Sequence, residues 1–387
     1  MNLMDMNTFL FVANISICVL CTILFALTPK RTQDTYLFGV RIPPKEQYSP
    51  EARKMKKRYI AACFVGMMAL IAICIVQFVA FRDMTLIVAL CLPFLIIPIF
   101  FVAYIPHWKA ATHLKAERGW QISSAVAGTH TILERGRLTA LPWGWYIAGF
   151  AIIMASILVA NFMYGSLPNM IPVRFGINMQ PTVLAERTGL TLLKFPLING
   201  LALLIMTLVA VMIQRAKLHI DPARPQVSIA QHLVYRRRLG HAFGLFTIII
   251  VLNLAAIGLV VLFPYSTLAT RPVIFWGGWV AILVQIGAIE GLIVNSGQGG
   301  YKIDLFRNRE DTTEEPVEDM LPWHDDDKHW KLGLFYHNAD DPAGLVELRF
   351  GNKLGFNFAR LSAKVAVALI AAGVIAAYLW VIIVVIV

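Results

Sequence analysis

The chain alternates between long apolar runs and shorter polar segments, and eight of the runs are long enough to cross a membrane. A helix needs about 20 predominantly apolar residues to span ~30 Å of hydrocarbon. The pattern therefore predicts an all-α polytopic membrane protein with eight transmembrane helices. The predicted spans are Asn7–Leu27, Tyr59–Phe81, Met84–Tyr104, Trp143–Tyr164, Phe195–Ile213, Ala242–Phe263, Val273–Val294 and Leu361–Val387.

Basic residues are distributed unevenly over the polar segments between these spans. The segments 28–58, 106–142, 214–241 and 298–364 together hold 29 Lys and Arg residues, whereas the segments on the other side hold 5. Segments rich in Lys and Arg remain in the cytoplasm when a membrane protein is inserted. The bias therefore predicts that the N-terminus and the C-terminus both lie outside.

Two local patterns predict where helices begin and turn. Ser49 followed by Pro50 is typical of a helix N-terminus, with the serine as cap and the proline in the first turn. The basic helix that follows is expected to run directly into the second span. Only Arg82-Asp83 separates the second span from the third, which predicts a tight helical hairpin.

One polar segment, 298–357, has the content of a small domain. Short stretches of aromatic and aliphatic residues alternate there with turn residues, which predicts a small cytoplasmic antiparallel β domain between helices seven and eight. This gives a membrane domain 1–297 with loops 28–58, 106–142 and 214–241, a β domain 298–357 with an acidic linker 309–319, and an eighth helix in 358–387. Strands are predicted within Trp330–Tyr336, Leu345–Phe350 and Leu354–Phe358.

A domain of this size has a small apolar core and would be marginally stable alone. We therefore expect its sheet to pack against segment 28–58 or segment 106–142, which lie on the same side of the membrane. The candidate apolar contacts in those segments are Phe38, Val40, Ile42 and Trp120.

The composition supports a membrane protein and argues against other classes. Hydrophobic residues make up 58% of the chain and charged residues 15%, with a net charge of +11. Because most of that charge lies in the segments that orient the spans, we assign it no nucleic-acid role. The five cysteines all lie in the first three spans, and an odd number of buried thiols predicts neither disulfides nor a metal site. The lipid bilayer is the predicted partner, and no cofactor is expected.

Glu290 is the only acidic residue inside any of the eight predicted spans. A charge at that depth is costly and marks a functional site by default. Gly287, Gly291 and Asn295 share one helix face at four-residue spacing, and the two glycines favour close approach of a second helix. These four residues form a candidate proton or ligand site. The alternative is a protonated carboxyl that bonds to a backbone carbonyl or to Asn253, Asn199 or Asn161.

The sequence contains little that indicates a catalytic site or a metal site. The run His324–His329 contains two histidines and three aspartates, but a hydrated acidic turn explains it as well as a metal site does. The chain has no His-Glu-x-x-His pattern, no Gly-x-Ser-x-Gly elbow and no phosphate-binding loop with its lysine. The sequence therefore predicts a protein that is not an enzyme and that binds no metal.

Two prolines four residues apart stiffen the segment between the fourth and fifth spans. An extended segment of this kind at the outer face could bind a peptide, or it could simply connect the two spans rigidly. The candidate recognition residues are Pro168, Pro172, Arg174 and Phe175.

The stretch Leu167–Gly176 resembles the Leu-Pro-x-x-Ile-Pro-x-His-Phe signature of a bacterial membrane family of unknown function, which includes the SdpI-like immunity proteins. Arg174 stands where that family has its histidine. Phe38–Pro43 and Asp327–Asn338, with Arg349-Phe350-Gly351, are similar to a longer subfamily that carries an uncharacterised terminal domain.

The resemblance implies a non-enzymatic protein of the bacterial cell membrane, with immunity to or sensing of a secreted peptide or envelope stress. Under this hypothesis the outer loop binds the peptide and the cytoplasmic domain signals to a regulator inside. The alternative is a proton-coupled transporter that uses Glu290. The candidate relay residues are Phe38, Arg41, Trp330 and Arg349.

Overall fold

The computed structural model describes residues 6–120, 141–175, 181–218, 225–262, 270–305, 327–351 and 354–386. The predicted acidic linker 309–319 lies outside these residues. The chain divides into two compact units. Unit 1 comprises Met1–Met6, Glu134–Gln214 and Leu233–Leu292, and unit 2 comprises Asn7–Leu133, Arg215–His232 and Ile293–Val387.

Long apolar helices make up most of the structure. Among the residues that the structure describes, six helices are long and apolar enough to cross a membrane, so the chain is a multi-pass membrane protein. These six are α3 to α8; the described parts of α1 and α9 hold shorter apolar stretches, and the first and eighth spans stay predictions. The helices are α1 Met6–Ala26, α2 Thr28–Arg31, α3 Pro50–Ala80, α4 Thr85–Arg118, α5 Trp143–Phe162, α6 Gly189–Arg215, α7 Pro225–Leu262, α8 Thr270–Ser296 and α9 Leu361–Ile386.

The hairpin of α3 and α4 follows the sequence prediction. The Ser49 hydroxyl accepts a hydrogen bond from the backbone N–H of Ala52, which caps α3 at its first turn. A short 3-10 helix, Arg82–Met84, connects α3 to α4. The predicted helix start and the predicted tight turn are therefore both confirmed.

Two helices extend beyond their apolar stretches into the polar segments that connect the predicted spans. α4 runs on to Arg118 and ends at Gly119, whose φ of 61° is typical of a helix C-terminus. α7 begins at Pro225, so most of segment 214–241 is helical and the arginines 236–238 lie within the helix. Basic segments at the membrane boundary can be helical because Lys and Arg are good helix formers.

The segment between α5 and α6 in unit 1 is a β-hairpin. Strand β3, Met170–Phe175, pairs antiparallel with β4, Pro181–Glu186, and the register is irregular after Pro172. Proline lacks a backbone N–H and so interrupts a regular ladder. The predicted extended stretch is present, but as one arm of a hairpin.

Unit 2 contains three further hairpins. β1 Tyr36–Leu37 pairs with β2 Val40–Arg41, β5 Trp330–Lys331 with β6 Phe335–Tyr336, and β7 Leu345–Glu347 with β8 Leu354–Phe356. The small antiparallel sheets are confirmed, but the prediction of one strand within Trp330–Tyr336 was wrong. Leu332 and Gly333 have positive φ and turn this stretch back on itself.

The apolar core of unit 2 joins these hairpins to helices α3 and α4. Phe38, Val40 and Ile42 are buried in one cluster with Phe350, and Trp120 packs against the same cluster. The predicted contact between the β domain and segment 28–58 is therefore confirmed.

Candidate functional site

Two tight turns of unit 2 lie against each other. Phe38 and Gly39, between β1 and β2, have φ values of 48° and 79°, and Leu332 and Gly333, after β5, have 54° and 67°. A Cβ atom at Gly39 would lie 2.4 Å from the carbonyl oxygen of Gly333. Glycine is required at this contact both for its backbone conformation and for the space.

The Tyr104 hydroxyl, on α4, connects these two turns. It lies 2.8 Å from the carbonyl oxygen of Phe38 and 3.0 Å from that of Leu332. Tyr104 is completely buried, and a buried hydroxyl without a partner would destabilise the fold. One side chain of α4 thus fixes both turns.

Arg349 holds the same interface from the end of β7. Its guanidinium donates to the Asp327 carboxylate and, over 3.3 Å, to the carbonyl oxygen of Gly39. It lies 4.8 Å from the ring centre of Trp330 and 5.3 Å from that of Tyr36. With 0% of its surface exposed, Arg349 depends on these partners, and a planar cation suits the flat rings on which it stacks.

The other charged groups nearby complete this set. Lys115, on α4, donates to the second carboxylate oxygen of Asp327 at 2.5 Å. Arg41 is buried with its guanidinium 4.9 Å from the Tyr36 ring centre. The structure thus brings the four candidate relay residues together, while their relay role stays a prediction. We call this set the Arg349 cluster: Tyr36, Phe38, Gly39, Arg41, Tyr104, Lys115, Asp327, Trp330, Gly333 and Arg349.

Asp327 also belongs to the run that was considered as a metal site. Its two carboxylate oxygens bind Arg349 and Lys115. Residues 324–326 of the run lie outside the described structure. The described residues contain no group of His, Cys, Asp and Glu side chains suited to a metal ion.

A second polar cluster in unit 2 centres on Asp341. Its carboxylate accepts from Lys217 at 2.5 Å, from the Tyr336 hydroxyl at 2.7 Å and from the backbone N–H of Ala343 at 2.9 Å. Burial raises the pKa of Asp341, but the hydrogen bonds from Lys217, Ala343 and Tyr336 outweigh it and leave the pKa below its usual value. No sequence pattern predicts this cluster, because Lys217 lies 124 residues from Asp341.

His232 and Glu347 form a third buried pair in unit 2. His232 Nδ1 lies 3.9 Å from a carboxylate oxygen of Glu347, and both side chains are buried. A Cβ at Gly299 would lie 2.0 Å from His232 Cε1, so the glycine-rich turn after α8 makes room for this ring. No local sequence pattern signals this pair, because its members lie on different elements.

The candidate recognition residues fall on and beside the β3–β4 hairpin of unit 1. Pro168 precedes β3, while Pro172, Arg174 and Phe175 lie within it opposite Leu184, Val183 and Pro181. The base of the hairpin is fixed by Arg187, which donates to the carbonyl oxygens of Tyr164 and Leu167 at 2.7 Å each. The hairpin is therefore an ordered element, and whether it recognises a peptide or only connects the two helices rigidly stays open.

Glu290 is half-buried on α8. Gly287, Gly291 and Asn295 are exposed, and a Cβ at either glycine would meet no atom within 4 Å. The expectation that these glycines accommodate a neighbouring helix is therefore wrong for the described residues. Two of the proposed asparagine partners donate elsewhere, Asn199 to the Val251 carbonyl and Asn161 to the Ile157 carbonyl. Whether Glu290 has a functional role stays a prediction.

No protein-family model matches the chain, and no curated protein or solved structure shows significant similarity to it.

Proposed function

We propose that the protein is a non-enzymatic membrane protein that confers immunity to, or senses, a peptide that acts outside the cell. The proposal places it in a bacterial cell membrane with eight spans and both termini outside. It is supported by the uneven distribution of basic residues and by the resemblance of Leu167–Gly176 to SdpI-like immunity proteins.

The observation that carries this proposal is the exposed, apolar β3–β4 hairpin. Met170, Val183 and Leu184 are 46%, 41% and 51% exposed. Among the described strands, β3 and β4 pair only with each other, which leaves an outer backbone edge on each. An extended peptide can add to such an edge through main-chain hydrogen bonds, with apolar side chains providing selectivity.

The hairpin is also held firmly enough to act as a receptor. Arg187 ties its base to the end of α5, and Lys194 on α6 donates to the carbonyl oxygen of Val173 at 2.8 Å. A binding element that is already ordered loses little conformational entropy when its ligand binds.

The Arg349 cluster is the part of unit 2 that this proposal assigns to signalling. It joins α4 to the β1–β2 and β5–β6 hairpins through Tyr104, Lys115 and Arg349. A displacement of α4 would therefore shift both turns, and a regulator that contacts the β domain would detect that shift.

The experiment uses cells that lack the gene, challenged with a broad panel of secreted antimicrobial peptides. Complementation compares the wild type with Val183→Asp and with Val183→Thr, which keeps a β-branched side chain in the strand. We expect the wild type and Val183→Thr to restore growth against at least one peptide and Val183→Asp to fail, because a carboxylate disrupts an apolar edge.

The amount of each variant in the membrane is measured in the same cells, so that loss of protein is distinguished from loss of recognition. If cells lacking the gene show unchanged sensitivity to the whole panel, the immunity proposal is wrong. If Val183→Asp protects as well as the wild type, the hairpin is not the recognition element.

A further inference from the structure

Four basic residues near the start of α3 face away from the core of unit 2. Arg53, Lys54, Lys57 and Arg58 are exposed, whereas Tyr59 is completely buried. Arg53 and Lys57 are four residues apart, as are Lys54 and Arg58, so each pair occupies adjacent positions on the helix surface. The outer face of α3 therefore begins with a compact patch of four positive charges.

The acidic residues next to this patch already have partners. Glu51 lies 3.2 Å from the guanidinium of Arg118, and Glu46 lies 2.9 Å from it. Within the described parts of the chain, none of the four basic side chains of the patch forms an ion pair. Like charges at four-residue spacing repel each other, so an anion bound at the patch would stabilise the helix.

The position of the patch along α3 places it at the height of lipid headgroups. α3 contains 31 residues and is therefore about 46 Å long, well above the ~30 Å of hydrocarbon in a bilayer. The apolar surface of α3 runs from Ala61 to Ala80, roughly 30 Å along the axis. Arg53 to Arg58 then fall within about 12 Å of the hydrocarbon boundary, in the headgroup layer and just beyond it.

The face that carries the charges continues directly as an apolar stripe. At spacings of four and then three residues, Arg53 and Lys57 are followed on the helix surface by Ala61, Val65 and Met68. Val65 is 71% exposed and Met68 61% exposed. Because Ala61 is small, no large side chain separates the charged part of the face from the apolar part. The face thus offers cations to a phosphate and an apolar track to an acyl chain of the same molecule.

We infer that this face of α3 is a binding site for an anionic phospholipid, with the phosphate held by Arg53 and Lys57 and the acyl chain along Ala61, Val65 and Met68. Lys54 and Arg58 add to the attraction from the adjacent face. Basic residues close to a membrane surface each contribute about 1 kcal/mol to the binding of acidic lipid. An acidic protein segment would use the same cations, but it would have no use for the apolar stripe that continues below them.

The test compares lipid retention by full-length variants. Each protein is reconstituted in vesicles of equal parts phosphatidylglycerol and phosphatidylcholine and extracted gently. Native mass spectrometry then gives the ratio of the two lipids that remain bound. The test variant is Arg53→Gln/Lys57→Gln. The matched control, Lys328→Gln/Lys331→Gln, removes the same charge from exposed positions of the β5–β6 hairpin and its approach. Tryptophan-fluorescence melting confirms that both are folded.

The wild type and the control should retain phosphatidylglycerol preferentially. The test variant should lose about 30-fold in preference, equivalent to about 2 kcal/mol for two cations. Inorganic phosphate added during extraction should not displace the bound lipid, and high salt should weaken the preference.

Three results would overturn the inference. The first is an unchanged preference in the test variant, and the second is an equal loss in both variants, which would reflect net charge alone. The third is a wild type that shows no preference for phosphatidylglycerol in vesicles but binds inorganic phosphate or a soluble acidic peptide in lipid-free detergent. The test variant would lose that binding.

Discussion

The Arg349 cluster of unit 2 and the β3–β4 hairpin of unit 1 both contain short strands. They differ in that the cluster buries charged side chains and the hairpin exposes apolar ones. The cluster buries charged side chains, and Arg349 and Arg41 are almost inaccessible. The hairpin exposes the apolar side chains of Met170, Val183 and Leu184. Removing one partner of a buried charge destabilises a fold, whereas exposed apolar edges remain available to bind. Substitutions in the cluster should therefore reduce stability, and substitutions in the hairpin should change function at constant stability.

The largest effect is expected from removing the buried charge of Arg349. Arg349→Met keeps much of the side-chain volume but leaves Asp327 and the Gly39 carbonyl without this donor. Removing one partner of a buried ion pair typically costs about 3–5 kcal/mol; because Asp327 is partly exposed and keeps Lys115, we expect the lower end of that range. The free energy of unfolding, measured by chemical denaturation in detergent micelles, should fall by that amount. Arg237→Met, at an exposed position of α7, should change it by less than about 0.5 kcal/mol. Equal effects of the two substitutions would mean that the cluster does not stabilise unit 2.

The next largest effect is expected from Gly39→Ala. This substitution tests whether the turn at Gly39 needs glycine for space as well as for its backbone conformation. Gly39→Ala places a Cβ 2.4 Å from the Gly333 carbonyl oxygen at a φ of +79°. Strain and overpacking together should cost about 2–4 kcal/mol. Gly119→Ala is the matched control, because Gly119 has a φ of +61° and no atom within 4 Å of its would-be Cβ. It should cost only about 1 kcal/mol. Similar melting temperatures for both variants would show that the turns at Gly39 and Gly333 can move apart without loss of stability.

A smaller effect concerns how the stability of unit 2 depends on pH. Because the pKa of folded Asp341 lies below its usual value, its contribution to stability is complete above the unfolded pKa of about 3.9. The contribution is lost as pH falls through the folded pKa. Asp341→Asn should cost about 2 kcal/mol at neutral pH and reduce the loss of stability below about pH 4. Melting curves of wild type and variant recorded between neutral and acidic pH test this. Parallel pH profiles would exclude Asp341 as a source of acid sensitivity.

The smallest effect on stability is expected at Glu290, in unit 1. Glu290→Gln keeps the size and the hydrogen-bonding capacity of the side chain but cannot exchange a proton. We expect a change in the free energy of unfolding of less than about 0.5 kcal/mol and unchanged protection against peptides. Proton-gradient-driven uptake or efflux in vesicles, present with the wild type and abolished by Glu290→Gln, would instead favour the transporter alternative.

The sequence predicted the features that depend on local patterns. Apolar runs identified the six described helices that are long and apolar enough to cross a membrane, and Ser49-Pro50 identified the start of α3. The contact of Phe38 with the β domain was also predicted, because a small sheet needs an apolar surface to pack on. These inferences require only hydrophobicity, helix capping and core size.

Features that depend on pairs of distant residues were missed. Lys217 and Asp341 are 124 positions apart, and neither has a neighbour in the sequence that signals the other. The turn at Leu332-Gly333 was taken for strand because leucine and aromatic residues surround it, while its positive φ is stabilised by contact with Gly39 and Tyr104. Tertiary contacts overrode local propensity at both places.

The bond between Arg349 and the carbonyl of Gly39 joins residues 310 positions apart. A ribosome that adds 5–20 residues per second needs roughly 15–60 s to cover that distance. During this interval the first hairpin has already been made, but the segment that covers it has not. A chain that stops before residue 327 leaves the Phe38-Gly39 turn without the Leu332-Gly333 turn and Arg349 that pack against it. Unit 2 can therefore close around the Phe38-Gly39 turn only after the C-terminal region has been synthesised.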